Sequence, residues 1–310
     1  MKKFFVIVLI FVAMLLVSCS GNEIEKKKMR INTDGETYLS VNYNEIAARF
    51  GDISTNAELL RTDKMEFTQA MCISEDYVFI AFGKYNGNGY KLRKLDRDTM
   101  EVIAESDRHF NHANGITYNK DTNELIICSL DGRSGKYKIT GDQDYGFFIV
   151  DADTLELKRT LNIKDIVLGI APDLCGVSEI AYNNVQKRYY VATHYPYRYI
   201  IVLNDDFTLN HYMYMRDFYD PYGLYGDMSC DDEHLYFCRW IIEQNQLLNV
   251  VDKYTLDGEY ISSNYVYGIT HIEAVAIDGN ECYANFIDFS NKFDLKLYKF
   301  NLNDEYIRLN

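Results

Sequence analysis

The chain has 310 residues, 32 Lys and Arg against 46 Asp and Glu, and a formal net charge of −14 at pH 7. That charge repels phosphate backbones and argues against nucleic acid as a partner. With 27 tyrosines, 17 phenylalanines and only 3 prolines, the composition favours strands, and the length suits one large all-β domain.

The first elements concern export. Met1-Lys2-Lys3 is followed by an uncharged run from Phe4 to Val17 and then Ser18-Cys19. A basic start, an apolar core too short to cross a bilayer and a small residue before a cut point describe a secretory signal over residues 1–18. Leu16-Val17-Ser18-Cys19 resembles the lipobox of bacterial lipoproteins. The resemblance implies that Cys19 carries the lipid, palmitate included, and that the mature protein sits at the cell envelope outside the cytoplasm. Residues 19–30, with Lys26-Lys27-Lys28, read as a lipidated cysteine and polar tether. The membrane is thus an expected partner through the acyl chains.

Residues 31–310 form the expected globular part. Thr37–Tyr43 has strand character and Asn44–Phe50 helix character, and 31–66 is expected to close a ring. From there a four-part unit recurs five times. Its first strand is Gln69–Ile73, Asn114–Tyr118, Ser178–Tyr182, Gly226–Cys230 and Glu273–Ile277, each followed by Ser74, Asn119, Asn183, Asp231 or Asp278. A strong second strand follows, then a hairpin rich in Asp, Asn and Gly, such as Lys94–Val102 and Ile149–Leu157. This spacing predicts an all-β propeller of four-stranded blades starting near 67, 112, 176, 224 and 271. Five blades is the first reading and six the second. Leu130–Tyr145 is expected as an insertion between the second and third strands of blade two.

Six cysteines remain besides Cys19, most inside strand-like runs, and they read as buried thiols with a disulfide left open. Aligning the repeats places Gln69, Asn114, Ser178, Gly226 and Glu273 at one height, with Glu179 and Asp227 one position on. His112 and His271 stand two positions before that register and would flank blade one at one mouth of the channel. Gln69, His112, Asn114, Glu179, Asp227, His271 and Glu273 are therefore the candidate ligand-binding residues. His112, Glu273 and His271 are the catalytic candidates, because an imidazole oriented by a carboxylate titrates near neutral pH. Glu179, Asp227 and Glu273 could together hold a divalent cation such as calcium. Asp142-x-Asp144 and Asp151-x-Asp153 are fragments of calcium-loop spacing without a complete loop, and Asp151 and Asp153 fit the repeated turn better. Tyr195–Tyr199 and Asp217–Tyr225 are aromatic loops suited to stacking, and His211–Met215 is expected to pack between blades.

Phe67–Met71, Glu273–Gly279 and Tyr283-Ala284-Asn285 resemble stretches of bacterial glutaminyl cyclases, which are five-bladed propellers. The resemblance covers blades one and five and implies a pocket role for Glu273. Val275 stands where that family commonly has a second carboxylate, and Phe286 follows Asn285 where it has tryptophan. The repeats also resemble lactonase-like propellers and surface-binding lipoproteins. The sequence thus points to a lipid-anchored propeller that binds a small molecule, glycan, peptide or envelope protein, with a propeller enzyme as the alternative.

Overall fold

The computed structural model describes residues 56–309 apart from 85–88, 130–141, 173, 175, 194–198, 216–223, 244–245, 268–270 and 289–293. The signal, Cys19, the tether and the elements expected at 37–50 lie outside the described residues, as do most of the blade-two insertion and of the two aromatic loops. Strand β1 (Glu58–Asp63) comes first. Blade one is β2 (Glu66–Ile73), β3 (Tyr77–Lys84), β4 (Lys91–Asp96) and β5 (Val102–Glu105). Blade two is β6 (Ile116–Asn119), β7 (Glu124–Cys128), β8 (Gly146–Asp151) and β9 (Leu157–Asn162). A short helix α1 (Lys164–Ile170) leads to blade three, formed by β10 (Val177–Asn183), β11 (Arg188–Thr193), β12 (Tyr199–Asn204) and β13 (Leu209–Tyr214). Blade four is β14 (Leu224–Cys230), β15 (His234–Glu243), β16 (Gln246–Thr255) and β17 (Tyr260–Tyr267). Blade five holds β18 (His271–Asp278), β19 (Glu281–Asp288) and β20 (Asp294–Asn301), and the chain ends in β21 (Tyr306–Arg308). The protein is a five-bladed β-propeller.

Local chemistry makes each blade. In the hairpin between β4 and β5, Asp96 Oδ1 accepts from the N–H groups of Asp98 and Thr99, at 3.1 and 2.8 Å, and Met100 takes φ 57°. Asp151, Asp153 and Thr154 repeat the bonds at 3.0 and 2.9 Å, with Leu155 at φ 60°. The Asp side chain copies a backbone turn and the left-handed residue ends it, so the following strand re-enters with a bulge. These N–H donors hold the Asp96 and Asp151 carboxyls below the usual range. The inner hairpins use Asn119, Asn183 and Asp231 in the same way.

Apolar residues alternate so that both faces of a blade are covered. Five hydrophobic clusters fill the five seams between neighbouring blades. Between blades one and two, Phe79 and Leu92 meet Ile116, Leu125 and Ile127, all essentially inaccessible. Each such side chain contributes about 1.5–3 kcal/mol through burial. Cys72, Cys128, Cys238 and Cys282 are buried free thiols in these seams, Cys230 is a partly buried free thiol, and Cys175 lies outside the described residues. Burial pushes the pKa of each of these five thiols up.

The ring is closed by both chain ends. β1 pairs antiparallel with β20, so the outermost strand of blade five comes from the N-terminal side. β21 leaves blade five and pairs in parallel with β17, adding a fifth strand to blade four. Asn56 clasps the two ends. Its Nδ2 donates to Asp304 Oδ2 and to the Tyr306 carbonyl, at 2.9 and 3.0 Å, and its Oδ1 accepts from Arg308 N–H at 2.9 Å. Where β1 passes into β2, Arg93 bonds Asp63, Glu66 and Glu105 while its guanidinium lies 3.9 Å from the centre of the Phe82 ring. Three carboxylates around one cation hold the closing strand to blade one.

Candidate site at the channel mouth

Equivalent heights of neighbouring inner strands meet across the seams. Thr117 Oγ1 accepts from Tyr182 N–H at 2.9 Å, and Ser229 Oγ accepts from Ile277 N–H at 3.2 Å. The five inner strands therefore run in one direction and begin at one mouth. The Asx turns of the inner hairpins lie at the other end.

Near that mouth the inner strands break their own ladders at a shared height. Pairing slips between Thr68 and Ala70, between Val177 and Glu179, between Tyr225 and Met228, and between Ile272 and Ala274. Gln69, Ser178, Gly226 with Asp227, and Glu273 are the residues left out of register. Blade two reaches the same height with Asn114, just before β6, after left-handed Asn111 and Ala113 at φ 33° and 51°. A bulge frees backbone groups and re-aims a side chain. In four of the five blades the polar register read from the repeats is thus a ladder break.

Two glycines let the blades approach at this level. A Cβ on Gly115 would lie 2.6 Å from Glu179 Cα, and one on Gly226 would lie 2.5 Å from the Glu273 carbonyl oxygen. Only a residue without a side chain fits either place.

The candidate residues divide by depth. Asp227 is inaccessible; its Oδ2 accepts from Met71 N–H at 3.1 Å and its Oδ1 from Met228 N–H at 2.8 Å, and Val275 N–H also bonds it. Burial raises its pKa well above the usual carboxylate value, with the nearby Glu179 charge adding to the rise. Glu179 is also buried, and Ser178 Oγ donates to its Oε1 at 3.3 Å. Asp227 therefore ties blade four to blades one and five along the axis. Gln69 is partly buried and its Nε2 donates to the Thr68 carbonyl at 3.0 Å.

Nearer the opening stand two imidazoles. His112 is bonded through Nδ1 to Asn114 Oδ1 and lies 5.6 Å, centre to centre, from the Tyr90 ring. His271 Nδ1 lies 3.4 Å from Glu273 Oε1, with side-chain exposures of 13% and 16%, and its ring meets Trp240 edge-on at 4.7 Å. Burial lowers the His271 pKa to about 3 and outweighs the adjacent carboxylate. At neutral pH the imidazole is uncharged, and the contact is a polar one between neutral ring and carboxylate. Of the three catalytic candidates, His271 and Glu273 stand together, two residues apart on β18. A neutral imidazole beside a carboxylate can receive a ligand's hydrogen-bond donor, while a pKa near 3 leaves it a weak base at neutral pH.

Trp240 and Tyr90 were not singled out in the sequence, and Asn285 entered only through the cyclase-like stretch. Trp240 is the only tryptophan, which is the one signal that could have marked it. Asn285 is fully buried opposite Ala274, beside the Glu273 bulge, and its Nδ2 donates to Thr68 Oγ1 at 3.3 Å. Its Oδ1 has no hydrogen-bond partner among the described residues. Among those residues no three His, Cys, Asp or Glu side chains are placed to hold a metal ion. Asp151 and Asp153 serve the turn of blade two, and Asp153 also receives Asn123 Nδ2 at 2.8 Å. Of His211–Met215, Met213 and Met215 pack toward blade four, while Tyr212 and Tyr214 are exposed.

No family model matches the chain, and no curated protein matches it. Among solved structures, one titled "Structure of U3-55K" is similar with a TM-score of 0.43 and 11% identity, covering 75% of this chain and 78% of that one. Another, "Crystal structure of RRP9 WD40 repeats", has a TM-score of 0.42 and 10% identity, covering 77% of this chain and 82% of that one. Likeness at this level carries no functional argument; strand pairing alone defines the fold described above.

Proposed function

We propose that the chain is a lipid-anchored propeller of the cell envelope that binds a small polar ligand, or the polar end of a peptide or glycan, at the mouth of its channel. The observation that carries this reading is the shared height of the inner-strand bulges at Gln69 and Glu273, with Asn114 aligned to them just before β6 and His271 beside Glu273. Rigid strands hold these groups, and deeper bonds through Asp227 fix the height of the blades around them. β1 enters the ring from its turn end, on the face opposite the mouth. Within this reading, the His271–Glu273 contact favours one second possibility, a propeller enzyme in which the neutral imidazole hydrogen-bonds the bound substrate and orients it beside Glu273.

The test is a thermal-shift screen of the full chain in detergent against amines, sugars, short peptides and lactones. A ligand that binds only the folded state raises the melting temperature by mass action. The expected result is a hit whose shift disappears in Glu273→Gln while the ligand-free melting temperature is unchanged. A hit that survives Glu273→Gln places binding elsewhere. Product formation by the hit compound, abolished in His271→Gln, would select the enzyme. Radiolabelled palmitate incorporated by the wild type and lost in Cys19→Ala tests the anchor.

A further inference from the structure

Among the described residues, the sheet of each blade ends in an outermost strand beyond which no further strand is paired. Such edges invite another strand, and proteins commonly guard them with charge. β1 carries Glu58, Arg61 and Asp63; β5 carries Glu105; β9 carries Lys158 and Arg159; β21 carries Arg308. The outer strand of blade three differs. β13 reads Leu-Asn-His-Tyr-Met-Tyr, with no Asp, Glu, Lys or Arg, and five of its six residues are exposed.

The side chains add an apolar face to that bare edge. Pairing with β12 sets Leu209 opposite Leu203, Tyr212 opposite Ile201 and Tyr214 opposite Tyr199, so these three lie on one side of the sheet. They are 42%, 51% and 51% exposed. The Tyr199 ring lies 6.0 Å from that of Tyr212 and 5.2 Å from that of Tyr214, forming a continuous aromatic surface. Met213 turns the other way, against Gly258 of blade four. On the neighbouring blade the equivalent edge, β17, is already covered by strand addition from β21.

We infer that β13 is a dimerisation edge, on which a second copy of this chain adds its own β13 antiparallel about a twofold axis at Tyr212. Charge selects this occupant. The chain as a whole is strongly acidic, and most of its surface repels a second copy. β13 is the outer strand where two copies meet without bringing like charges together. Its pattern is also self-complementary. Centring on Tyr212 places Tyr212 against Tyr212 and His211 against Met213, with both aromatic faces on the same side of an eight-stranded sheet.

The experiment uses the full chain in detergent. Tyr212→Cys puts two thiols directly opposite each other across the axis, within disulfide reach in an antiparallel pair. The expected result is a covalent dimer on mild oxidation, absent from Thr160→Cys on the charged edge β9. Sedimentation should show a wild-type dimer at micromolar concentration, with Tyr212→Lys raising its dissociation constant at least about tenfold at an unchanged melting temperature. If Tyr212→Lys fails to fold, Tyr214→Lys serves in its place. A monomeric wild type overturns the inference, including the case in which residues before 56 shield the β13 amides from exchange. A dimer indifferent to both lysine variants overturns it as well.

Discussion

The carboxylate of Asp227, on the inner strand of blade four, accepts the backbone N–H of Met71 on the inner strand of blade one at 3.1 Å. The two residues are 156 positions apart in the chain, and the bond spans the axis of the ring. It answers a need created by the bulge at Gln69, which takes backbone groups of β2 out of their own ladder. Removing this side chain leaves buried N–H groups unsatisfied in three strands. Asp227→Ala should cost about 3 kcal/mol or more, since each orphaned group costs about 1–3 kcal/mol. Denaturant titration checks the magnitude.

The same carboxyl makes stability depend on pH. Its folded-state pKa lies well above the ordinary value, so the folded protein keeps a proton that the unfolded chain releases. The stabilisation is complete below about pH 4 and falls as pH rises from there toward the folded pKa. Asp227→Asn, which has no proton to lose, should flatten the decline in melting temperature between pH 5 and 8.

His271 acts at the acid end with the opposite slope. Its folded pKa is lowered to about 3, so its contribution is complete above the unfolded value of about 6.5. Between those values stability falls with decreasing pH, by at most about 1.4 kcal/mol per pH unit from this one group. His271→Gln should lessen the acid-side loss, read from melting curves between pH 7 and 4.

Asn56 joins the two chain ends through three hydrogen bonds. Asn56→Ala should destabilise the ring by about 1–3 kcal/mol. Its signature is local: amide exchange should quicken first in β21 and β1, before the inner strands respond. Uniform quickening across all blades would show that the clasp is not a separate opening unit.

Gly115 faces Glu179 backbone rather than a pliable side chain. Gly115→Ala should therefore force blades two and three apart and cost about 1–3 kcal/mol. Gly279→Ala is a control for the turn face. It meets nothing within 4 Å, so its cost comes only from its φ of 58° and should be smaller.

The repeats made the blade count and strand order readable, because hairpin turns and alternating patterns are local properties of neighbouring residues. Asp96 and Asp151 bond to N–H groups two and three positions ahead, so their role is written within five residues of chain. The same locality aligned Gln69, Ser178, Gly226 and Glu273 at one height. What it could not show is that the height is a line of bulges, since a bulge is defined by the partner strand.

Depth and partnership were decided by tertiary structure. Asp227 and Glu273 occupy nearby positions in their repeats, yet one is sealed among backbone amides and the other is partly open beside His271. Only the packing of unlike neighbours sets that difference, because burial and hydrogen-bond partners come from other blades. Ring closure belongs to the same class. The pairing of β1 with β20 and of β21 with β17 joins segments more than 200 and about 40 residues apart, respectively, and their short-range patterns do not name a partner. Local sequence therefore determined what each blade is, and long-range packing determined which groups the channel mouth presents.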